Sequence, residues 1–515
     1  MHHRRLPIIF ASALTASASV THAQVPAQEY ADRRAVLAAK LGDGAFVARG
    51  GVEPVQDYLS FFQSPGFYYL TGYKEANAAL VMTRSGSSVS WTLFVEPRNP
   101  AVEVWTGRRN GVDGARSITG IPARLATDFT AVLDSVLASS NKLYVLSDIA
   151  EGGDSLNGDN LFVARIARDH PTVQVMGANQ LVSQLRARKS ASEMALIRRA
   201  AAISLDAHRD AARALRPGMN EFEVQALLEY TFRRNGADRP AYASIVGSGA
   251  NATTLHYSKD DRFMKDGELL LIDAAASYGG YAADVTRTFP VSGTFSPAQR
   301  EIYAVVRAAQ AAAERQAKVG AAARTMSDSA SGVLSAGLAR LGLIEAPGAT
   351  YDCGTADVPR RCPQLSLFYM HGLGHGIGLE VHDPDQYYFT GKIDVGSAFS
   401  IEPGIYVREN LLEIVPQTPA NAKYLTALRA VLPKYSSVGV RIEDNYIVTE
   451  NGLEWISCVP READEVEAMM RDKSSGTSAR DADRVDWYKT TGAAPGEVGG
   501  RAGAPLPKSC ALPKM

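Results

Sequence analysis

The stretch Met370–Asp383, MHGLGHGIGLEVHD, is the most informative part of this 515-residue sequence. It places three of the chain's nine histidines within twelve residues and separates them with four glycines. Because glycine has no Cβ, it lets the backbone approach a crowded site closely, although it serves tight packing equally well. The stretch therefore predicts histidines gathered at one site and leaves the purpose of the glycines open.

Four carboxylates lie at the ends of segments that resemble buried strands. Asp273 and Asp284 belong to LLLIDAAASYGGYAADVTRTF, residues 269–289, and Glu402 and Glu443 each follow an apolar run. Carboxylates in such segments are costly to bury unless something neutralises them. Two divalent cations would balance the four negative charges, so the sequence predicts a metal centre.

The spacing of Asp273 and Asp284 predicts two facing strands of a hairpin. A turn centred on Tyr278–Gly279 would place residue 273 directly opposite residue 284, and side chains in that relation share one face. Such a pair of carboxylates suits two ions about 3.5–4 Å apart. Arg441 lies two residues before Glu443, so both side chains face the same way on a strand. Carboxylate oxygens with one imidazole suit Mn²⁺, Co²⁺, Fe²⁺ or Zn²⁺, and the sequence does not choose among them.

The length of the chain predicts at least two domains. Residues 24–180 alternate apolar runs (YYLTGY, AALVMTR, WTLFVEP and KLYVLSD) with helix-like stretches, which is typical of an α/β domain. Residues 181–470 hold the site motifs. Residues 471–515 are rich in Ser, Gly, Ala, Pro and charge, a composition that predicts a disordered tail. A net charge of −1 argues against a nucleic-acid partner.

Residues 1–23 have the pattern of a secretory signal, with a basic start, an apolar stretch and a Thr-His-Ala cleavage site. No apolar run of about 18 residues follows, so no membrane span is expected. The predicted destination is the periplasm or exterior of a bacterium. Four cysteines fit that compartment: Cys353 and Cys362 are expected to pair, and Cys458 and Cys510 could then tie the tail to the body, although the connectivity stays open.

Taken together, these segments resemble the pita-bread metallopeptidases, in the proline-directed branch that contains aminopeptidase P and prolidase. The resemblance covers about residues 30–470. It implies an α/β (α+β) protein in which a creatinase-like α/β domain precedes a pita-bread catalytic domain. The matching blocks are YYLTGY, EVWTGRRNG, IVGSGANATTLHY, LLLIDAAASYGGYAADVTRTFP, HGLGHGIGLEVHD, IEPGIY and GVRIEDN.

The resemblance also assigns roles to individual residues. The five metal ligands would be Asp273, Asp284, His375, Glu402 and Glu443. The residues expected around the substrate are His256 near the scissile proline, His382 at the tetrahedral intermediate, His371 in the pocket wall, Arg441 behind the metal ligands, and Trp105 and Tyr406 as pocket-lining aromatics.

The implied function is an exopeptidase that removes the residue before a proline. Two divalent ions, with Mn²⁺ favoured, would activate a bridging hydroxide, and Glu402 would pass a proton to the leaving nitrogen. Proline-containing peptides are the expected substrates, and a homo-oligomer (dimer or tetramer) is the expected assembly. Two alternatives stay open: a prolidase restricted to Xaa-Pro dipeptides, and a pita-bread binding module without catalysis. Methionine aminopeptidase and creatinase are disfavoured by the size of the N-terminal domain and by the intact ligand set.

Overall fold

The computed structural model describes residues 25–56, 59–147, 158–355 and 358–472, together with residues 510 and 512. The signal predicted at 1–23 and nearly all of the tail predicted to be disordered at 471–515 lie outside these residues. Within the described part of the chain, no helix combines the length and the apolar character needed to cross a lipid bilayer.

The N-terminal part is built on one mixed six-stranded sheet in the order β4-β3-β2-β1-β5-β6. Its strands are β1 (Gly44–Arg49), β2 (Ala79–Ser85), β3 (Ser88–Val95), β4 (Ala123–Leu125), β5 (Lys142–Leu146) and β6 (Gln174–Gly177). Its helices are α1 (Ala27–Lys40), α2 (Pro65–Thr71), α3 (Pro100–Thr106), α4 (Gly111–Thr119), α5 (Phe129–Leu137), α6 (Gly158–Asp169) and α7 (Asn179–Arg186).

Helices cover both faces of this sheet, because alternate residues of β1 point to opposite sides. Ala45 and Val47 pack with α5 and α6, whereas Phe46 and Ala48 pack in the larger core with α1, α2 and α4. This arrangement agrees with the expected α/β domain. The run YYLTGY, however, is not a strand: Pro65 begins helix α2 there, and Gly72, with φ of 65°, ends it. Proline at the first helical turn and glycine after the last favour the helix.

The junction between the two parts is a break between two helices rather than one long helix. Helix α7 ends at Arg186, and α8 (Ala191–Ala214) begins after Ser190. The Ser190 side chain accepts a hydrogen bond from the Glu193 amide, and the Glu193 carboxylate accepts one from the Ser190 amide. This capping box fixes where α8 starts.

The C-terminal part contains the remaining helices and strands, in which short sheets and helices surround the acidic and histidine motifs. The helices are α9 (Glu221–Arg234), α10 (Pro297–Gln316), α11 (Arg324–Arg340), α12 (Gln386–Thr390), α13 (Leu411–Ile414), α14 (Ala422–Tyr435) and α15 (Ala463–Arg471). The strands are β7 (Arg239–Pro240), β8 (Ile245–Ser248), β9 (Leu269–Asp273), β10 (Ala276–Tyr278), β11 (Tyr281–Ala282), β12 (Thr286–Pro290), β13 (Thr350–Asp352), β14 (Arg361–Pro363), β15 (Ala398–Ile401), β16 (Gly404–Val407), β17 (Val438–Arg441), β18 (Asp444–Thr449) and β19 (Gly452–Trp455).

The hairpin that carries the two aspartates has a different register from the one predicted. Its turn is centred on Gly279 and Gly280, whose φ angles are 60° and 86°. Asp273 therefore pairs with Thr286 rather than with Asp284. Two consecutive residues with positive φ make the turn whose twist suits a two-residue hairpin, and glycine adopts that conformation at little cost. The shift is two residues, so Asp284 stays on the same face as Asp273, one diagonal step away.

Two disulfides stabilise the C-terminal part. Cys353 pairs with Cys362, and Cys458 pairs with Cys510. Both pairings agree with the expectation from the sequence. The backbone N–H of Cys510 also donates a hydrogen bond to the Trp455 carbonyl at 3.1 Å, so the end of the chain is attached to the edge of β19.

Candidate metal centre

Three side chains from three separate segments meet in the C-terminal part. Ligand atoms of Asp284, His375 and Glu443 all lie within 4.8 Å of one another. Asp284 follows β11, His375 lies in the 370–383 histidine loop, and Glu443 follows β17. The imidazole Nδ1 of His375 lies 3.1 Å from the Gly376 carbonyl, so a proton on Nδ1 leaves Nε2 facing the carboxylates.

Asp273 and Glu402 lie at the same place. Glu402 Oε1 and Asp284 Oδ2 are each 3.3 Å from His375 Nε2. The hydroxyl of Tyr242 lies 2.5 Å from an oxygen of Asp273 and 2.5 Å from an oxygen of Asp284, and it donates to one of them. The structure thus brings together all five residues that were predicted to bind metal.

The donor set fits divalent cations. Glu443 is 1% exposed, and its Oε1 atom finds no hydrogen-bond partner among the described residues. Burial, and then the charges of Asp284, Glu402 and Asp273, raise the pKa of Glu443 well above its usual value. Burial and Asp273 also raise the pKa of Asp284. Carboxylates packed in this way repel one another, and a bound cation would relieve both the repulsion and the unpartnered oxygen.

Arg441 connects this cluster to the predicted substrate pocket. Its guanidinium contacts Asp273 Oδ2 at 2.5 Å and donates to the Tyr406 hydroxyl at 2.8 Å. The same hydroxyl lies 2.8 Å from Nε2 of His371. The Thr286 hydroxyl accepts from Arg441 Nε at 3.1 Å and donates to Glu443 at 2.7 Å. Arg441 and Glu443 therefore face the same site, as their spacing predicted.

Close packing accounts for two glycines of the histidine loop. A Cβ atom on Gly374 would lie 2.1 Å from the Ser400 carbonyl oxygen, and one on Gly376 would lie 2.3 Å from that of Asp383. Ordinary Cβ atoms do not come so close to a backbone oxygen, so both positions need glycine. The resulting approach lets the His375 and His382 rings meet edge to face, with centroids 4.3 Å apart.

The other predicted site residues differ in how they are placed. His382 and His256 are exposed. Leu255 and Tyr257, which flank His256, pack in a small apolar cluster with Met370 and Tyr406. This contact brings the His256 segment beside the start of the histidine loop.

Trp105 is largely exposed to solvent, and its role as a pocket-lining aromatic stays a prediction. It lies on α3 of the N-terminal part and is 86% exposed. The aromatic side chain was singled out by its motif, and a motif carries no information about which surface a short helix presents.

Tyr242 and Ser400 are site residues that the sequence reasoning missed. The Ser400 hydroxyl accepts from the His375 amide at 3.2 Å and lies 3.3 Å from Glu402. Tyr242 lies just after the two-residue strand β7, within RPAYAS. A tyrosine in a short irregular segment gives no periodic signal, and only the position of β7 beside the hairpin brings the hydroxyl to the aspartates.

Comparison with known proteins decides the family. Residues 195–450 match metallopeptidase family M24, and residues 30–145 match the aminopeptidase P N-terminal domain. The chain is 33% identical over 456 residues to an Xaa-Pro aminopeptidase of Haemophilus influenzae, covering 87% of this chain and 98% of that protein. This chain belongs to metallopeptidase family M24. It is an enzyme of the aminopeptidase P branch, a metal-dependent exopeptidase.

Solved structures agree with this assignment. An aminopeptidase of Pseudomonas aeruginosa superposes with a TM-score of 0.72 at 33% identity, covering 87% of this chain and 99% of that chain. Proline aminopeptidase P II from Yersinia pestis gives a TM-score of 0.73 at 30% identity, with 87% of this chain and all of that chain covered. The two-domain architecture, an aminopeptidase P N-terminal domain followed by a pita-bread domain, is thereby confirmed.

Proposed function

We propose that this protein releases the N-terminal residue from peptides that have proline at the second position. The observation that carries the proposal is the convergence of five potential ligands. Asp284, His375 and Glu443 have ligand atoms within 4.8 Å of one another, Glu402 contacts His375, and Asp273 shares the Tyr242 hydroxyl with Asp284. Relatives that are named Xaa-Pro aminopeptidases match along nearly their whole length. The tertiary amide before a proline lacks an N–H, so an enzyme that cleaves it needs a dedicated pocket.

Those five side chains would hold two divalent cations, and Asp284 and Glu443 are the most buried of the four carboxylates, at 5% and 1% exposed. When bound there, divalent cations would supply the Lewis acidity that activates a water and polarises the scissile carbonyl. An oxygen-rich set with one imidazole supports Mn²⁺ as the native metal, although Zn²⁺, Co²⁺ and Fe²⁺ suit the same ligands.

Glu402 is the side chain best placed to move a proton. Its carboxylate lies 3.3 Å from His375 and 3.8 Å from Nδ1 of His371, at the edge of the cluster that leads to the pocket. It would accept a proton from the attacking water and deliver it to the leaving proline nitrogen. His382, exposed beside His375, would donate a hydrogen bond to the carbonyl oxygen as negative charge develops on it. His256 and His371 would contact the substrate.

Arg441 would hold the ligand cluster in place, and Tyr406 would form the buried part of the pocket wall. Arg441 contacts Asp273 and Tyr406, and Tyr406 in turn contacts His371. A shift in any of these three groups would therefore be felt both at the metals and at the substrate.

We also propose that the protein acts as a homo-oligomer, a dimer or a tetramer. Helix α3 presents Val102, Val104 and Trp105 to solvent, and the last two are 76% and 86% exposed. Contiguous exposed apolar side chains of this kind are typical of an interface. If Trp105 contributes to peptide binding, it would do so in a neighbouring subunit.

The proposed location is the bacterial periplasm or the exterior. The two disulfides support it, because disulfides persist in oxidising compartments. The basic and apolar N-terminus supports it as well. N-terminal sequencing of the exported protein should give a chain that starts near Gln24.

Hydrolysis of a small panel of peptides tests the proposed activity. The mature protein with added Mn²⁺ should release free alanine from Ala-Pro-Ala and should leave Ala-Ala-Ala intact. Cleavage of Ala-Pro without Ala-Pro-Ala would make the enzyme a dipeptide-restricted prolidase. Cleavage of neither peptide, with metal bound, would contradict the proposal and favour a binding module.

A further inference from the structure

A buried ion-pair cluster lies directly beside the histidine loop but outside the metal centre. Asp383, which follows His382, is 2% exposed and contacts both Arg186 and Lys189. Arg186 also contacts Glu380 at 2.5 Å. The two positive and two negative charges cancel. We call this cluster the junction cluster, because its cations lie on the segment that joins the two domains. Its members are Arg186, Lys189, Glu380 and Asp383.

Lys189 is fixed more tightly than an ordinary lysine. Its side chain is 1% exposed, and its ammonium group lies 2.8 Å from each of three acceptors: Asp383 Oδ2, the Arg186 carbonyl and the Pro384 carbonyl. An ammonium group has three protons, so every donor is satisfied. Its backbone N–H donates to the Gly396 carbonyl, also at 2.8 Å. Lys189 therefore joins the inter-domain segment to the segment that follows His382.

Asp383 in turn sets the shape of the histidine loop. Its backbone N–H donates to the Gly376 carbonyl at 2.8 Å, and its carboxylate accepts from the Glu380 N–H at 3.2 Å. Gly376 follows His375, and Asp383 follows His382. The pairing of Gly376 with Asp383 thus places the two imidazoles side by side, with ring centroids 4.3 Å apart. A displacement of Asp383 would move His382 relative to His375.

A glycine of the histidine loop, Gly378, packs directly against the junction cluster. A Cβ atom on Gly378 would lie 2.3 Å from an Asp383 carboxylate oxygen and 2.8 Å from Cε of Lys189. The Gly378 carbonyl accepts a hydrogen bond of 2.7 Å from the Ala282 N–H, two residues before Asp284. The same short stretch therefore contacts the junction cluster on one side and the aspartate hairpin on the other.

We infer that Lys189 and Asp383 are positioning residues for catalysis, which hold the His382 ring at the angle at which it meets the substrate carbonyl. The inference rests on the proposed function, since it deepens the role proposed for His382. Neither residue is among the predicted metal ligands or substrate-contacting residues, and the ammonium group of Lys189 is fully engaged by Asp383 and two carbonyls. Because the lysine belongs to the segment between the domains, the docking of the N-terminal domain also contributes to the geometry of the active site.

A double-mutant cycle with His382 tests the inference. Lys189→Met keeps most of the length of the side chain and removes its charge and donors. It should lower kcat for Ala-Pro-Ala by about 10- to 100-fold with little change in KM or metal content, because a small misplacement of a group that acts on the transition state costs rate rather than binding. In a His382→Ala background the same substitution should lower kcat by less than about threefold, because the group on which it acts is already gone.

Arg198→Met is the matched control. Arg198 lies on α8, pairs with Glu454 at 2.5 Å and is 16% exposed, but it has no contact with the histidine loop among the described residues. It should leave kcat unchanged. Glu380→Gln is a milder variant, since the Glu380 side chain is 36% exposed, and it keeps the test open if Lys189→Met does not fold. Glu380→Gln should show a smaller loss of kcat with the same dependence on His382.

A spectroscopic readout separates this inference from the proposed function. In protein labelled with ¹⁵N-histidine, Lys189→Met should shift the His382 ring resonance, identified by its absence in His382→Ala, and should leave that of His170 unchanged. This readout needs no turnover. An unshifted His382 resonance would overturn the inference, as would an equal loss of kcat in the presence and absence of His382, or a loss of metal in proportion to activity.

Discussion

Tyr242 contacts both aspartates of the metal centre through its hydroxyl. Burial, and then the charges of Asp273 and Asp284, raise the pKa of its phenol well above the usual value, so it remains a hydrogen-bond donor throughout the working range of pH. Groups that orient metal ligands typically contribute 10- to 100-fold in metal affinity. We therefore predict that Tyr242→Phe weakens metal binding by about 10- to 100-fold, measured by titration of the metal-free protein.

Tyr230→Phe is a suitable control for that titration. Tyr230 lies on α9 and is 51% exposed, so removal of its hydroxyl should leave metal affinity unchanged. Equal affinities in Tyr242→Phe and in the wild type would show that the hydroxyl does not hold the aspartates in place.

His208 is a single buried residue that makes the stability of the fold depend on pH. It lies on α8, fully buried, where its Nε2 is 2.9 Å from the Ala274 carbonyl and its Nδ1 finds no partner among the described residues. Burial lowers the pKa of His208 to about 4. The unfolded chain has the ordinary pKa of about 6.5 and so binds more protons between these values. His208 therefore favours folding above pH 6.5, and this contribution is lost as the pH falls towards 4.

We predict that the free energy of unfolding falls by up to about 3 kcal/mol between pH 7 and pH 4 because of this one group. His208→Gln keeps a donor for the Ala274 carbonyl and removes the titration. Its unfolding in guanidinium chloride should depend less on pH in this window than that of the wild type. Identical pH profiles for the two proteins would contradict the assignment.

At the scale of single elements, the histidine loop depends on close contact with the strand beside it. Gly374→Ala would force a methyl group to within 2.1 Å of the Ser400 carbonyl, next to the serine hydroxyl that accepts from the His375 amide. We predict a loss of about 1–3 kcal/mol of stability together with a loss of metal, because His375 moves with the loop. Gly372→Ala is the matched control, since nothing lies within 4 Å of its added methyl group. Equal effects of the two substitutions would contradict this account.

The individual helices, strands and loops also show what could and could not be predicted from the sequence. The four carboxylates could be found because an acidic residue at the end of an apolar run is costly to bury, and the family resemblance singled out His375 as the fifth ligand. The predicted centre of the turn in the aspartate hairpin was wrong. The sequence YGGY allows two centres, and only the pairing of Tyr278 with Tyr281 distinguishes them. The apolar run YYLTGY lies mostly in helix α2, because an apolar run of that length does not by itself distinguish a helix from a strand. Tyr242 and the junction cluster depend on contacts between distant segments, which local patterns do not report.

At the scale of the whole molecule, Cys458–Cys510 fastens the end of the chain to the catalytic domain across 52 residues of sequence. Cross-linking a chain lowers the entropy of its unfolded state, and a loop of this length is worth about 2–4 kcal/mol. We predict that Cys458→Ser/Cys510→Ser lowers the free energy of unfolding by that amount, as measured by denaturant titration. The Cys353–Cys362 pair closes a loop of only 9 residues, so its removal should cost less. Equal costs would contradict an entropic origin.

The central claim is that five side chains hold two divalent ions on which catalysis depends. The measurement that tests it most directly is the metal content of the purified enzyme, determined together with hydrolysis of Ala-Pro-Ala, in the wild type and in Asp284→Ala, Glu443→Ala and His170→Ala. His170 pairs with Asp134 in the N-terminal domain and serves as the control. We predict about two ions per chain in the wild type and in His170→Ala, with loss of both metal and activity in the other two variants. Full activity in Asp284→Ala would contradict the claim.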